Sequence, residues 1–281
     1  MINNKALIQN GYSKYFAPAK LNLFLKIINK RRDGYHNLQS VFQLIDLQDE
    51  IFIKIRYKDS QINVTNSSSL IKPKNDLAFK AAKSILSNQR LGADIFIDKK
   101  IPIGAGLGGG SSNAASVMMG INKLAKLNLS KATLIKSSIK LGADIPFFIN
   151  GTNAWVEGIG DRLYDIKIPK SSYVLVVPNL SIETKIIFNG FKLTNSVIPL
   201  KIASSYNAVE HDLIKNDLED TVTKKYTKMS ELLDCMKAFG DAKMSGTGSS
   251  IFIRANNLNM AKSIEKNIPS NANFFIVKGL S

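Results

Sequence analysis

Polar and hydrophobic residues alternate along several short stretches of the chain, and this period of two predicts β-strands. In residues 19–27 the aliphatic side chains from Leu21 to Ile27 fall on one face, while Lys20 and Asn22 fall on the opposite face. The pattern predicts a strand with one face in a hydrophobic core and one polar face. Alternation or a short apolar run predicts further strands at residues 41–57, 93–100, 173–178, 250–254 and 273–278.

Hydrophobic residues spaced three or four apart predict helices in other parts of the chain. Asp76 stands near the start of the first helix, where a negative charge favours the helix dipole. The helices are expected at residues 75–86, from about residue 112 to 124, and at residues 229–240. Helices and strands are intermixed without the regular alternation that is typical of a doubly wound sheet, so the sequence predicts an α+β architecture.

The length of 281 residues exceeds that of a usual single domain. A turn-rich stretch at residues 150–161 is the expected boundary, and we predict an N-terminal domain at 1–155 and a C-terminal domain at 156–281. No apolar run approaches the roughly 18 residues that a membrane span needs, and no signal peptide is evident. One cysteine fits a reducing cytoplasm, and two histidines with one cysteine argue against a His/Cys metal site.

Lysine and arginine number 38 against 22 aspartates and glutamates, which gives a net charge of +16. This charge fits a nucleic-acid partner, a polyanionic small molecule or a solvated lysine-rich surface. The lysines are dispersed and are not interleaved with aromatic residues, so we expect neither a nucleic-acid nor a membrane partner.

The segment PIGAGLGGGSSNAA, at residues 102–115, lies between a predicted strand and a predicted helix. Glycines leave backbone N–H groups accessible to an anion, and the following helix offers its positive N-terminus. The alternative is a flexible linker. The segment contains a G-x-G-x-x-G pattern, but it lacks both the later acidic residue of a dinucleotide site and the lysine of a Walker motif. It therefore predicts a phosphate-binding loop of another kind.

The pentapeptide LGADI occurs twice, and its two aspartates are expected to differ in function. Residues 99–143 contain seven lysines and no acidic residue, and Asp144 follows directly. A lone carboxylate in basic surroundings stays ionised and can accept a proton from a hydroxyl. Pro146 is expected to hold Ile145 outside the helical region, whereas Asp94 is expected to be a surface group at a strand entry.

Lys20 and Asn22 share one face of the first strand. An amine there can offset charge on an acceptor oxygen. The alternative is a lysine on an edge strand that discourages aggregation.

Three motifs in order, PAKLNL (18–23), the glycine segment (102–115) and KMSGTGSSIF (243–252), resemble those of the GHMP kinase superfamily. Further segments, at residues 31–47, 141–148 and 181–188, resemble the members whose small-molecule substrate carries a cytidine diphosphate. The resemblance covers nearly the whole chain. It implies a two-lobed fold with a ribosomal-S5-like N-terminal domain and a ferredoxin-like C-terminal domain. It also implies ATP and Mg²⁺, with transfer of a phosphoryl group to an alcohol.

The resemblance also implies roles for individual residues. Asp144 matches the catalytic base and Lys20 its cationic partner. The residues implied for substrate binding are Asn22, Tyr35, His36, Thr184 and Phe188. The residues implied for ATP binding are Pro102, Gly104, Gly106, Gly108, Gly109, Gly110, Ser111 and Ser112, with Asp76, Leu77 and Lys99 near the adenine.

The chain departs from the family pattern in places. Ala105 replaces a glycine, which is tolerated if its φ is negative, and Glu183 and Lys185 flank Thr184 where proline is common. No second acidic residue stands out as a magnesium ligand, so no protein metal site is assigned. We expect a monomer or a weak homodimer. The alternatives are a GHMP kinase of the mevalonate, sugar or homoserine type, and a basic RNA-binding protein.

Overall fold

The computed structural model divides the chain into two compact units. The first unit comprises Met1–Ala19, Leu47–Ile101 and Gly108–Gly151, and the second comprises Lys20–Asp46, Pro102–Leu107 and Thr152–Ser281. The predicted division into domains at residues 1–155 and 156–281 stays a prediction. The structure describes residues 4–68, 76–193, 197–209, 214–255 and 257–281.

Two long strands, β1 and β2, contribute residues to both units. The elements of the first half of the chain are α1 (Asn4–Gln9), β1 (Ser13–Lys30), β2 (His36–Arg56), β3 (Ile62–Asn66), α2 (Leu77–Leu86), β4 (Gly92–Asp98), α3 (Gly109–Leu124), α4 (Lys131–Ser138) and α5 (Ile145–Asn150).

In the first unit, β3, β4 and the end of β2 pair within a sheet on which helices pack, and β1 also pairs with β2. The end of β2 pairs antiparallel with β4, so that Ile51 lies opposite Ile97, and β3 runs parallel to β4. Helix α2 packs on α3 through buried alanines. Gly120 of α3 allows close approach to the sheet, because an added Cβ would lie 2.5 Å from Ile53 Cδ1. The predicted strand at 93–100 is confirmed as β4.

The start of α3 differs from the prediction. The helix begins at Gly109 rather than near Ser112, with Gly108 as its N-cap at a φ of +70°. The last glycines and Ser111 therefore form the first helical turn. Glycine has a poor helix propensity, but packing of α3 on neighbouring elements outweighs that local preference.

The other helical predictions hold within a few residues. Helix α2 begins at Leu77, and the Asp76 side chain caps it by accepting a hydrogen bond from the Ala78 N–H at 2.8 Å. Position 75 of the predicted helix lies outside the described residues. The helix predicted at 229–240 is α8, which spans Thr227–Lys237.

The expectation that Pro146 holds Ile145 outside the helical region is wrong. Ile145 is the first residue of α5, and Pro146 lies within its first turn. Proline is tolerated there because the first N–H groups of a helix have no partner within the helix. The preference of a residue before proline for extended backbone is weaker than this packing, since Ile145 is fully buried.

The second unit contains two sheets. The start of β2 pairs antiparallel with β5, which pairs with β6. A four-stranded antiparallel sheet has the order β10-β7-β9-β8, and its central strand β7 is buried as predicted. The remaining elements are β5 (Ala154–Gly158), β6 (Arg162–Asp165), β7 (Ser172–Val177), α6 (Thr184–Gly190), a 3-10 turn (Tyr206–Ala208), α7 (Glu219–Lys225), α8 (Thr227–Lys237), β8 (Lys243–Met244), β9 (Ile251–Ala255), α9 (Leu258–Asn267) and β10 (Asn273–Lys278).

The predicted strand is confirmed as β1, and Lys20 and Asn22 lie on one face of it, but both faces are buried in the second unit. Lys20 is 4% exposed and Asn22 is 3% exposed, and Phe24 on the same face is fully buried. The overall prediction of an α+β architecture is confirmed. None of the helices in the described ranges is both long and apolar enough to cross a membrane.

Candidate active site

The glycine segment begins in the second unit, where two of its glycines admit no side chain. Gly104 and Gly106 have φ angles of +70° and +74°. A Cβ on Gly104 would lie 2.7 Å from Ser181 Oγ, and one on Gly106 would lie 2.3 Å from the Ser245 carbonyl oxygen. Pro102, at the start of the segment, is half-buried. The segment is therefore a tightly packed loop and not a flexible linker.

Ala105 interrupts the glycines of this loop and is nearly buried. Among the described residues other than glycine, positive φ angles occur at Lys126 and Asn128, so Ala105 meets the condition under which it is tolerated. Its carbonyl accepts a hydrogen bond from the Ser250 N–H at 3.1 Å.

The segment continues in the first unit as the N-terminus of α3. The N–H groups of the first turn, from Gly109, have no partner within the helix and carry the positive end of the helix dipole. Ser112 is fully buried, and within the described part of the chain its hydroxyl has no hydrogen-bond partner. A buried hydroxyl without a partner is rare in proteins. This one fits a group that is bound at the helix start.

Lys99 is held in a buried cluster just before the glycine segment. The Asp49 carboxylate is fully buried and accepts hydrogen bonds from the N–H groups of Lys100 at 2.7 Å and Ile101 at 2.8 Å. The Lys99 ammonium pairs with Asp49 and donates to Asn113 Oδ1 at 3.0 Å. Asn113 in turn donates to Asp49 at 2.7 Å. The cluster anchors α3 to the end of β4, and the charge of Lys99 is balanced by Asp49.

Asp76 and Leu77 lie beside the same helix start. The Asp76 carboxylate is engaged as the cap of α2 and also accepts from Asn66 Nδ2 at 3.3 Å. A Cβ on Gly110 would lie 3.6 Å from Leu77 Cδ1. The structure therefore places Leu77 against the first turn of α3, with Asp76 fixing its position.

Asp144 lies directly before α5, in the turn that joins α4 to α5. The Ile145 N–H donates to the Gly142 carbonyl at 3.2 Å, which forms this turn. A Cβ on Gly142 would lie 3.8 Å from Ser111 Oγ. The turn that carries Asp144 is thus next to the first turn of α3, within the first unit, and Asp144 itself is half-buried.

Asp94, the other aspartate of the LGADI pair, is ion-paired. Both its oxygens accept from Arg56 at 3.1 Å, and one accepts from Asn63 at 2.8 Å. Arg56 also forms an ion pair with Asp59 at 2.6 Å. Asp94 therefore links strands β2, β3 and β4, which is a structural role.

Lys20 and Asn22 belong to a buried hydrogen-bond network in the second unit. The Lys20 ammonium donates to Asn22 Oδ1 and lies 4.6 Å from the centre of the Phe42 ring. Asn22 Nδ2 donates to Ser40 Oγ at 3.1 Å. A buried, hydrogen-bonded lysine is not a solvated edge lysine, so that alternative is excluded for Lys20.

A single hydroxyl connects the three motifs on which the resemblance rests. Ser245 Oγ accepts from the Asn22 N–H at 3.1 Å and donates to the Gly106 carbonyl at 3.2 Å. The next residue, Gly246, has a φ of +59°, and a Cβ there would lie 3.1 Å from Asn22 Oδ1 and 3.7 Å from Lys20 Nζ. The glycine loop of the third motif therefore contacts the Lys20–Asn22 pair directly.

The structure brings together two of the three residues expected to contact a base. The rings of His36 and Phe188 lie 5.4 Å apart with an angle of 34° between their planes. His36 is buried, and this burial, followed by the nearby charge of Lys30, lowers its pKa below the usual 6.5. Its imidazole is therefore neutral at neutral pH. Tyr35, which precedes His36 in sequence, is 60% exposed and ends the turn formed by residues 31–35.

Thr184 is the first residue of α6 and is exposed. Its hydroxyl lies 3.1 Å from that of Thr247 in the glycine loop of the third motif. The structure thus places Thr184 beside the loop that contacts Lys20 and Asn22, although Thr184 is more than 150 residues away from them in sequence.

Several residues that shape the site were not predicted. They are Ser40, Asp49, Asn216 and Ser245. Ser245 lies within a recognised motif and Ser40 within the segment 31–47, but neither was singled out, and Asp49 stands inside ordinary strand sequence. Their partners are distant in sequence, so no local pattern marks them. No group of three or more histidine, cysteine, aspartate or glutamate side chains in the described ranges is arranged to hold a metal ion.

Comparison with protein families gives two matches. The GHMP kinases N terminal domain matches residues 76–152, and the GHMP kinases C terminal domain matches residues 204–273. A 4-diphosphocytidyl-2-C-methyl-D-erythritol kinase from Neisseria meningitidis serogroup B is 39% identical over 98% of this chain and 97% of its own length. A protein of that name from Herminiimonas arsenicoxydans is 39% identical over 84% of each chain.

Solved structures agree with these matches. A crystal structure of 4-(cytidine 5'-diphospho)-2C-methyl-D-erythritol kinase has a TM-score of 0.80 at 28% identity, over 96% of this chain and 100% of that one. A mevalonate kinase from Methanococcus jannaschii has a TM-score of 0.69 at 18% identity, over 97% and 100% of the two chains, and this likeness concerns the fold alone. The expected GHMP kinase fold is confirmed.

Proposed function

This chain belongs to the GHMP kinases and, within them, to the 4-diphosphocytidyl-2-C-methyl-D-erythritol kinase family, and from this premise we propose its reaction and the residues that carry it. The chain is an ATP-dependent kinase of a small molecule. It phosphorylates the 2-hydroxyl of 4-diphosphocytidyl-2-C-methyl-D-erythritol and gives the 2-phosphate and ADP. The reaction belongs to non-mevalonate isoprenoid precursor biosynthesis.

One structural observation gives the strongest support to this function. The Ser245 hydroxyl joins the strand of Lys20 and Asn22 to the glycine segment at Gly106, and a Cβ added to Gly246 would lie 3.1 Å from Asn22 Oδ1 and 3.7 Å from Lys20 Nζ. Phosphoryl transfer depends on positioning and charge neutralisation, so a lysine that is held in place by such contacts suits a kinase of this type. A solvated lysine or a flexible linker would not have these contacts.

We assign the proton transfer to Asp144. Its carboxylate takes the proton of the substrate 2-hydroxyl as that oxygen attacks the γ-phosphorus of ATP. Lys20 offsets the negative charge that develops near the acceptor oxygen. Asn22 receives a hydrogen bond from Lys20 and so fixes the direction of its ammonium group, and it contacts the substrate near the same hydroxyl.

The cytosine is bound by aromatic residues and a neutral imidazole. Phe188 and Tyr35 stack on the base, and the exposed ring of Tyr35 is accessible for this contact. His36 hydrogen-bonds the base, and its lowered pKa keeps one ring nitrogen as an acceptor and the other as a donor at neutral pH. Thr184, beside Thr247, lines the substrate pocket.

The ATP phosphates are bound by the glycine segment. The start of α3 offers the N–H groups of Gly109, Gly110 and Ser111 and the Ser112 hydroxyl. Leu77 lies near the adenine side, and Asp76 and Lys99 act there by fixing α2 and the start of the glycine segment. Mg²⁺ neutralises phosphate charge when bound, and the free hydroxyl of Ser112 suits it as a ligand from the protein, with ATP and water supplying the others.

We place the enzyme in the cytoplasm, as a monomer or a weak homodimer without nucleic-acid or membrane partners. Residues 1–155 form the proposed ATP-binding domain and residues 156–281 the proposed substrate domain. The single cysteine and the dispersed lysines support these assignments.

A coupled ADP-release assay with a panel of alcohols tests the proposed substrate. We expect turnover with 4-diphosphocytidyl-2-C-methyl-D-erythritol, and rates at least about a hundredfold lower with mevalonate, homoserine and galactose, which lack a base to stack. Faster turnover of any of these three would assign the chain another substrate. RNA binding that weakens steeply with salt, together with no ATP turnover, would contradict the kinase assignment itself.

A further inference from the structure

A short segment before α7 holds the glycine loop of the third motif in place by hydrogen bonds. Asn216 is buried and its side-chain amide donates to two carbonyl oxygens, those of Met244 and Gly246, at 2.8 Å each. Its Oδ1 accepts from the Leu218 N–H at 3.0 Å. All three hydrogen-bonding positions that this side chain uses are therefore directed to the main chain.

Glu219 supports the same loop from one turn further along. Its carboxylate accepts from the Met244 N–H at 2.9 Å. Burial raises the pKa of this carboxyl, so the group lies in an environment where a lost hydrogen bond is costly. Asn216 and Glu219 together bind both polar groups of Met244 and the carbonyl of Gly246.

The segment is itself tied to the strand that carries the polar pair. The Leu25 N–H donates to the Lys215 carbonyl and the Asp217 N–H donates to the Leu25 carbonyl, both at 2.9 Å. Asn216 thus forms a parallel bridge with Leu25. Its backbone is fixed to β1 while its side chain is fixed to the loop that contacts Lys20 and Asn22.

We propose that Asn216 is a positioning residue for phosphoryl transfer, which holds Gly246 against Lys20 and Asn22 and thereby sets where the acceptor hydroxyl sits. This proposal rests on the function proposed above. Without the amide donors, two buried carbonyl oxygens lose their partners, and the loop from Ser245 to Gly248 shifts. A displacement of about 1 Å in a supporting residue is enough to lower a rate by about a hundredfold.

Asn153 is a matched control in the same unit. It is also buried, its Oδ1 accepts from the Leu44 N–H at 2.9 Å, and its Nδ2 donates to the Leu280 carbonyl at 2.7 Å. Asn153→Ala therefore removes a comparable set of main-chain hydrogen bonds without touching the glycine loops. A purely structural role for Asn216 predicts equal effects of the two substitutions on catalysis.

Steady-state ADP release and urea unfolding of the full chain compare Asn216→Ala, Asn216→Ser and Asn153→Ala. We expect Asn216→Ala to lower kcat about 10- to 100-fold with the KM for ATP changed by less than about twofold, and Asn153→Ala to keep kcat within about threefold. Asn216→Ser keeps one donor and gives an intermediate kcat. It replaces the alanine variant in the comparison if that variant does not fold. A kcat for the folded Asn216 variants within threefold of Asn153→Ala overturns the proposal.

Hydrogen exchange of residues 244–250, measured without substrate, separates this proposal from the proposed function. We expect faster exchange in the Asn216 variants than in Asn153→Ala. Equal exchange refutes the positioning of the loop whatever the substrate is. Absence of ADP release by the wild-type chain refutes the function and leaves the exchange result to stand on its own.

Discussion

The substitution Asp144→Asn separates catalysis from stability. Asparagine has nearly the same shape as aspartate and can still accept hydrogen bonds, but it cannot take a proton from a hydroxyl. A general base contributes about 10²- to 10⁴-fold to a rate. At 1.36 kcal/mol for each factor of ten, this loss raises the barrier by about 2.7–5.4 kcal/mol.

The fold should be little affected by the same change. Asp144 is half-buried in a turn whose backbone is held by the hydrogen bond from Ile145 N–H to the Gly142 carbonyl. An isosteric substitution of such a residue costs less than about 1 kcal/mol. The KM for ATP should also be unchanged, because the helix start from Gly109 remains intact.

Asp94→Asn is the control with the opposite expectation. Its carboxylate pairs with Arg56 at 3.1 Å, and the two side chains are 21% and 30% exposed. Losing a partly screened, doubly hydrogen-bonded pair costs about 1–2 kcal/mol, which lowers the Tm by roughly 2–8 °C at 2–4 °C for each kcal/mol. Turnover should stay near that of the wild type, since Arg56 keeps Asp59 as a partner.

ADP release and thermal unfolding are measured on both variants in parallel. A near wild-type kcat for Asp144→Asn removes Asp144 as the base. An equal loss of kcat in well-folded Asp94→Asn refutes the distinction between the two aspartates.

Three further predictions follow from the site. Phe188→Ala should raise the KM for the cytidine substrate about 10- to 100-fold and leave the KM for ATP unchanged, because base stacking contributes about 1–3 kcal/mol to binding. An unchanged KM for the cytidine substrate in the ADP-release assay would exclude stacking by Phe188. Gly106→Ala should lower the free energy of unfolding in urea more than Gly34→Ala, because both glycines have positive φ, but an added Cβ meets the Ser245 carbonyl oxygen at 2.3 Å at Gly106 and nothing within 4 Å at Gly34. Equal losses of stability would show that the loop can move aside. Because the pKa of His36 is lowered, the folded state binds its proton less readily than the unfolded state, so the free energy of unfolding should fall as pH drops below 6.5. In His36→Gln this pH dependence of the free energy of unfolding should be absent, and an identical pH dependence in the two proteins would contradict the burial effect.

The hydrophobic pattern predicted most elements of the fold but not the burial of β1. Alternation along residues 19–27 separates polar from apolar side chains, but it does not tell whether the polar face meets water or other polar groups. Lys20 and Asn22 are buried instead because Ser40 and Ser245 supply hydrogen bonds from residues that are distant in sequence. A polar position therefore indicates a need for hydrogen bonds as much as a need for water.

Helix boundaries show the same limit. Glycine propensity placed the start of α3 near Ser112, whereas tertiary packing starts it at Gly109. The preference of a residue before proline placed Ile145 outside a helix, whereas burial of Ile145 includes it in α5. Local rules are weak compared with packing at such positions.

Residues for the candidate site could be proposed from the sequence in part, and their roles stay predictions. The glycine segment, Lys20 and Asp144 each leave a local signal in motif or charge. Asp49 and Asn216 left none, because each acts through main-chain groups that only the folded chain brings near. Their contribution is to hold the groups named by the motifs, and three-dimensional contacts alone identify such residues.

The position of the transferred phosphate tests the central claim most directly. The proposed acceptor is a tertiary alcohol, so its carbon carries no hydrogen. We predict that a proton-coupled ³¹P spectrum of the product shows a new phosphomonoester resonance without the three-bond splitting that a neighbouring C–H group causes. A doublet or triplet for this resonance would place the phosphate on a secondary or primary hydroxyl and contradict the proposed reaction.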